Sequence, residues 1–180
     1  MYQLLAIRRS IRKYKEELVE AGVVDRLIRS MLRAPSGRGI DPWEIIYVEG
    51  ATHLQQLALS KAHGAKFLEG AKQCLVVLAD PTKTDVWVED ASIVMTIGHL
   101  AATDLGLGSC WIQIRNRQTA DGISSETFVK NLLGIPEDLC VEGILAFGYS
   151  DEEKEGHAEA TLKTDKVHRN SYGRKYYKVD

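Results

Sequence analysis

Charge of one sign is what this chain most plainly lacks. Its 180 residues carry 23 Lys+Arg against 25 Asp+Glu, a net charge of −2. Nucleic-acid binding rests on many phosphate contacts, so this balance excludes a broad basic face. No run approaches the roughly 20 apolar residues of a bilayer-spanning helix. The opening MYQLLAIRRS has no basic region ahead of its apolar residues and no long apolar core, so it does not read as a signal peptide. Cysteine is scarce. Cys74, Cys110 and Cys140 are far apart and form no C-x-x-C pair; Cys74 and Cys140 sit in apolar runs and read as small core residues, and a reducing, cytoplasmic setting is expected. No G-x-G-x-x-G opens a helix after a strand and no G-x-x-x-x-G-K-[ST] occurs, which argues against a Rossmann dinucleotide site and a P-loop. Repeats and low-complexity linkers are absent too.

What is present is a chain that is 44% hydrophobic, enough for one domain with a real core. Over residues 18–33, Val24, Leu27, Ile28 and Met31 fall at i, i+3, i+4 and i+7, one face of an amphipathic helix. Pro35 stops it by disfavouring helical geometry at Ala34. WEIIYVE, QCLVVLAD and VEGILAFGY read as strands, with a helix around Leu54, Leu57 and Ala58 between the first two. The stretch VEDASIVMTIGHLAATDLGLG reads as a helix with Glu89 and Asp90 at its positive end and a left-handed cap at Gly106. It is apolar on nearly every side, which predicts burial in the domain or in a subunit interface. Links too short for helical crossovers predict a mixed, mainly antiparallel α+β sheet flanked by helices.

Three stretches carry possible chemistry. IRRSIRKY gathers Arg8, Arg9, Arg12 and Lys13 around Ser10. Surface cations are the plain reading; the sharper one is a phosphate clamp, since arginine offers a rigid fork of donors. APSGRGIDPW joins a helix to a strand through two glycines flanking Arg38, a loop able to bring backbone N–H groups close to a ligand. DLGLGSCWIQIR places a helix cap and a tight turn before a short extended run.

Together these stretches resemble the FMN-dependent nitroreductase family. The shared pattern is R-R-S-x-R-x-[FY], A-P-S with P-W before a strand, E-D-A, G-L-G-S-C-W, and L-G-I-P before a final strand, running from about Leu5 to Tyr149. The resemblance implies a homodimer of α+β subunits with FMN at the subunit interface. It implies NADH or NADPH as donor and a nitroaromatic, a quinone or a similar small aromatic molecule as acceptor. Arg8, Arg9, Ser10 and Arg12 match the segment that holds the flavin phosphate and ribityl chain. Pro35, Ser36, Gly37, Arg38 and Gly39 match a loop reaching the flavin from the partner subunit. Cys110, Trp111, Ile112 and Gln113 match the strand entry beside the ring, where the backbone N–H of Gln113 or Ile114 approaches N5. Lys163 is the first choice for a late basic contact to the phosphate, with Lys166 and Arg169 as others. No catalytic side chain is implied.

The chain departs from the family where Gly39 and Asp41 replace an Asn and a Gln. The short stretch from Asp80 to Glu89 predicts an open pocket over the flavin. Residues 1–150 are expected to form the flavin-binding domain and residues 151–180 an arm of the same domain that embraces the partner. For that tail, an RNA-contacting arm is the weaker alternative, because basic residues with aromatics lack a basic body here. No metal site is expected. The rival functions are a flavin-storing or sensing protein without turnover and a reductive dehalogenase-like relative.

Overall fold

Gln73–Ala79 (β2) and Cys140–Gly148 (β4) are nearly continuous apolar runs, and both are buried along almost their whole length. Such strands belong at the centre of a sheet with both faces covered. The computed structural model, which describes residues 1–177, places them there. Trp43–Glu49 (β1) flanks β2 and Gly108–Gln113 (β3) flanks β4, giving the order β1-β2-β4-β3. Among the described residues every strand pairing is antiparallel, and the one parallel contact to the sheet is an isolated bridge from Ser10 to Ser109.

The helices cover both faces. They are α1 (Tyr2–Ile7), α2 (Ala21–Met31), α3 (Ala51–Ala58), α4 (Trp87–Asp104) and α5 (Ser125–Leu133). Leu27 and Met31 of α2 and Val94 and Met95 of α4 pack with Leu75, Val77 and Phe147 on one face. Leu54 and Leu57 of α3, Val129 of α5 and the segment containing Ile11 and Tyr14 pack with Val76, Ile144 and Ala146 on the other. The alternation of Leu75 and Val77 against Val76 is the period-2 geometry of a strand.

The strands fall where the sequence places them. Helix α2 is shorter than residues 18–33 at both ends, and Gly106 takes the left-handed conformation its position demanded, with φ 76°. A Cβ at Gly98 would lie 2.8 Å from Met31 Sδ and from Leu145 Cδ2, so the absent side chain lets α4 seat closely on α2 and β4. In the single chain α4 is buried on one face rather than all round. Ile93 is 36% exposed and Ile97 half-buried, leaving an uncovered apolar flank.

Two helices escaped the sequence reading. Helix α1 is six residues with none buried, too short to show a period. Helix α5 did carry signals: Ser124 accepts from Thr127 N at its start and Gly134 sits in the left-handed conformation at its end.

The tail returns over its own domain before leaving it. His157 N donates to Ala6 O at 2.7 Å, and Leu162 lies with Tyr2 and Leu5. Beyond it Val167, Tyr172, Tyr176 and Tyr177 are exposed. The last three residues of the expected arm, 178–180, lie outside the described residues. No helix among the described residues is long and apolar enough to cross a membrane.

Candidate active site

The basic segment after α1 is pinned to the sheet edge. Ile11 N donates to Ser109 O at 2.9 Å, beside the Ser10–Ser109 bridge. This close approach requires glycine at 108, because a Cβ there would lie 2.7 Å from Ile11 Cγ2. The Tyr14 hydroxyl donates to Ile11 O at 2.6 Å and burial pushes its phenol well up, so it stays an uncharged donor. From the tail, Lys154 Nζ donates to Ser10 O at 2.7 Å and pairs with Glu152 at 2.9 Å. Glu152 Oε1 also accepts from Arg12 N at 2.5 Å, and Arg9 donates to Glu155 O.

Arg8 is held by a buried histidine. Its Nη1 lies 3.0 Å from His99 Nε2, while His99 Nδ1 lies 2.5 Å from Ser109 Oγ. Guanidinium can only donate, so Nε2 accepts and the proton sits on Nδ1, which donates to Ser109. Burial first, and the neighbouring Arg8 charge second, push the imidazole down to about 4 from 6.5. His99 is therefore an uncharged positioning group that leaves Arg8 its charge and its remaining donors. An unfolded chain takes up this proton near pH 6.5 and the fold only near pH 4. Between those values the unfolded state binds more protons, so stability falls as pH drops through the window, by about 3 kcal/mol. Urea unfolding at pH 7 and pH 4.5 should show that loss in the natural chain and a smaller one in His99→Gln. Equal losses in both would contradict the role given to His99.

Arg8, Arg9 and Lys154 line a cleft of about 520 Å³ between the basic segment, the end of α4 and the tail. Glu152, Glu153 and Glu155 line it too, so its formal charge is balanced. Glu152 is committed to Lys154 and to Arg12 N, which leaves the two arginines as the cleft's forked donors. Arg12 turns elsewhere, with its guanidinium 5.8 Å from the Phe67 ring centroid. Lys163, Lys166 and Arg169 are exposed on the tail and none lines the cleft. The basic residue the tail does bring to this segment is Lys154. Its place in the acidic turn SDEEKEG hid it from the sequence reading.

The Pro35–Gly39 loop is built at the other end of α4. Gly37 N donates to Asp90 Oδ1 at 2.8 Å, and a Cβ at Gly37 would lie 2.9 Å from Val86 Cγ2. Arg38 and Gly39 have φ of 59° and 68°, and Ser36 Oγ donates to Asp41 Oδ1 at 2.6 Å. Asp41 thus serves as a partner within the loop and occupies the Ser36 hydroxyl. From Asp90 to His99 the helix rises about 14 Å, so one chain does not bring loop and arginine cluster together. Between Asp80 and α4 there are only turns.

Strand β3 runs from the arginine cluster back toward the start of α4. Because Ser109 faces Ile11, strand alternation turns the backbone N–H groups of Trp111 and Gln113 away from β4, toward the open sheet edge. Ile114 N is already used, donating to Glu142 O at 3.2 Å. Of the two backbone donors considered from sequence, Gln113 is therefore the available one. The Gln113 side chain is fixed as well: it accepts from Trp111 Nε1 at 3.0 Å and donates to Glu142 Oε1 at 3.1 Å. Cys110 is buried, and burial, partly offset by Arg12, pushes its thiol up, so it is packing rather than a nucleophile.

Known proteins resemble this chain in sequence and in fold. The model of the nitroreductase family matches residues 5–65 and 49–149. The structure of an FMN-dependent nitroreductase from Clostridium difficile R20291 superposes with a TM-score of 0.93 at 42% identity, covering 96% of this chain and 100% of that one. A protein of Archaeoglobus fulgidus, named "Putative NADH dehydrogenase/NAD(P)H nitroreductase", is 29% identical over 175 residues, 94% of this chain and 97% of its own length. A structure from Parabacteroides distasonis, named with the same words, is 27% identical with a TM-score of 0.86, covering 95% of this chain and 98% of that one. The chain belongs to the nitroreductase family.

Proposed function

We propose that the protein is an FMN-dependent oxidoreductase, working as a homodimer, that uses NADH or NADPH to reduce a nitroaromatic, a quinone or a similar small acceptor. The observation that carries this reading is the layout of β3. Arg8 and Arg9 stand at its beginning, and the Gln113 backbone N–H, which strand alternation turns to the open sheet edge, stands about 14 Å along the strand from Ser109. A ligand with an anionic end, a flexible linker and a flat polar ring fits that layout.

The donor set suits FMN. Arg8, oriented by His99, and Arg9 would bind the phosphate, with Lys154 keeping the segment in place. Charge-assisted contacts of this kind are among the stronger polar ones. Gly108 keeps the strand start close to the basic segment. The Gln113 N–H would donate to the ring, a preorganised donor of the kind that favours developing negative charge. When bound, FMN supplies the hydride chemistry, and the chain supplies position and polarity.

Two observations support the dimer. The Pro35–Gly39 loop stands apart from the arginine cluster of its own chain, and α4 carries an uncovered apolar flank at Ile93 and Ile97. A second copy that covers this flank would bring its loop to the first copy's cluster, and the exposed tyrosines of the tail would extend the contact. Steady-state rates with varied nicotinamide and varied quinone should give parallel double-reciprocal lines, since donor and acceptor meet the flavin in turn. Intersecting lines would contradict that order, and no turnover with either nicotinamide would favour a flavin-binding protein instead.

A further inference from the structure

Glu142 lies on the buried strand β4, next to the site, and the mechanism above does not use it. The residue is 3% exposed, and Oε2 has no hydrogen-bond partner among the described residues. Its other oxygen accepts from Gln113 Nε2 at 3.1 Å, and its main-chain carbonyl accepts from Ile114 and Arg115 at 3.2 Å. A buried carboxylate oxygen with no donor is costly, and protonation is the usual escape. The ring of Trp111 closes the chain by donating to Gln113 Oε1, so Trp111, Gln113 and Glu142 form one line of hydrogen bonds across β3 and β4.

We propose that Glu142 is a positioning residue for the β3 edge: its buried carboxyl fixes Gln113 and, through it, Trp111, and its ionisation places a negative charge beside the redox site. The charged groups facing it are Arg115 from the turn after β3, Glu126 from α5 and Glu89 from the first turn of α4. Burial, the leading influence, raises its affinity for the proton; the Gln113 hydrogen bond and Arg115 oppose this, and the two glutamates add to it. The Arg115 guanidinium lies over Trp87, 5.6 Å from that ring centroid. The consequence for function rests on the flavin reading: a proton held at Glu142 keeps negative charge away from a ring that gains it on reduction.

The test has two readouts, the first made on flavin-free protein. The indole N–H of Trp111, assigned by its loss in Trp111→Phe, is followed by two-dimensional NMR from pH 4 to pH 8. Its signal should shift with an apparent midpoint above the ordinary glutamate range, and Glu142→Gln, close in shape, should abolish the shift. A pH-independent signal in the natural chain, or the same shift in Glu142→Gln, would overturn the proposal. The second readout is the midpoint potential of bound FMN against pH. Above the Glu142 midpoint the natural chain should fall below Glu142→Gln by about a tenfold change in equilibrium constant, ~30 mV for two electrons. Equal potentials at every pH would overturn the charge-setting part. Failure of both proteins to bind FMN would overturn the flavin reading, with the indole titration still deciding the role of Glu142 in the strand pair.

Discussion

Replacing Arg8 by Ala should weaken FMN retention about 10- to 150-fold, the range expected when a hydrogen bond to a charged group is lost. Flavin fluorescence titration measures it directly. Arg8 lines the cleft, keeps its charge beside a neutral imidazole, and is oriented by a histidine that is itself tied to Ser109. Arg8→Lys should recover part of the loss, because it restores the charge without the fork. Arg12→Ala should cost less than Arg8→Ala, since Arg12 faces Phe67 and contributes its backbone, not its side chain, to Glu152. Unchanged affinity in Arg8→Ala would refute the clamp.

The second large effect concerns the loop that one chain keeps apart from its own cluster. A valine at Gly37 would place its Cβ 2.9 Å from Val86 Cγ2, so the loop or its neighbours must shift, and the Gly37 N–Asp90 hydrogen bond is the contact at stake. Gly37→Val should therefore lose FMN as thoroughly as Arg8→Ala, although it changes nothing near the arginines. Mixing the two variants after dissociation separates the possibilities. If each site takes its cluster from one chain and its loop from the other, a mixed dimer carries both defects in one site and none in the other. Random reassociation then restores about a quarter of the sites, a consequence of two-fold symmetry. No recovery on mixing would show that both elements serve the same chain's site.

Much of this was legible in the sequence because the informative residues act locally. The central strands announce themselves as apolar runs, and Gly106 marks a helix end because few other residues adopt left-handed backbone. The R-R-S-x-R motif lies at the sheet edge, where Ser10 meets Ser109. What stayed hidden depends on long-range contact. His99 sits in a helix whose apolar pattern gives no sign that one polar position reaches back 91 residues to Arg8. Lys154 lies among acids and becomes informative only when the tail folds over Ser10. Glu142 reads as part of a strand, and only the register beside Gln113 gives it a partner. Lys163, chosen by its position near the end of the chain, stays on the exposed tail, outside the cleft.

The most direct test of the central claim is a visible absorption spectrum of the FMN-loaded protein, taken without oxygen before and after adding NADH or NADPH. A donor at Gln113 and cations at Arg8 and Arg9 predict a bound flavin whose yellow absorbance bleaches rapidly with at least one nicotinamide and returns when a quinone is added. A protein that takes up no FMN, or holds a flavin that neither nicotinamide bleaches, would contradict the account.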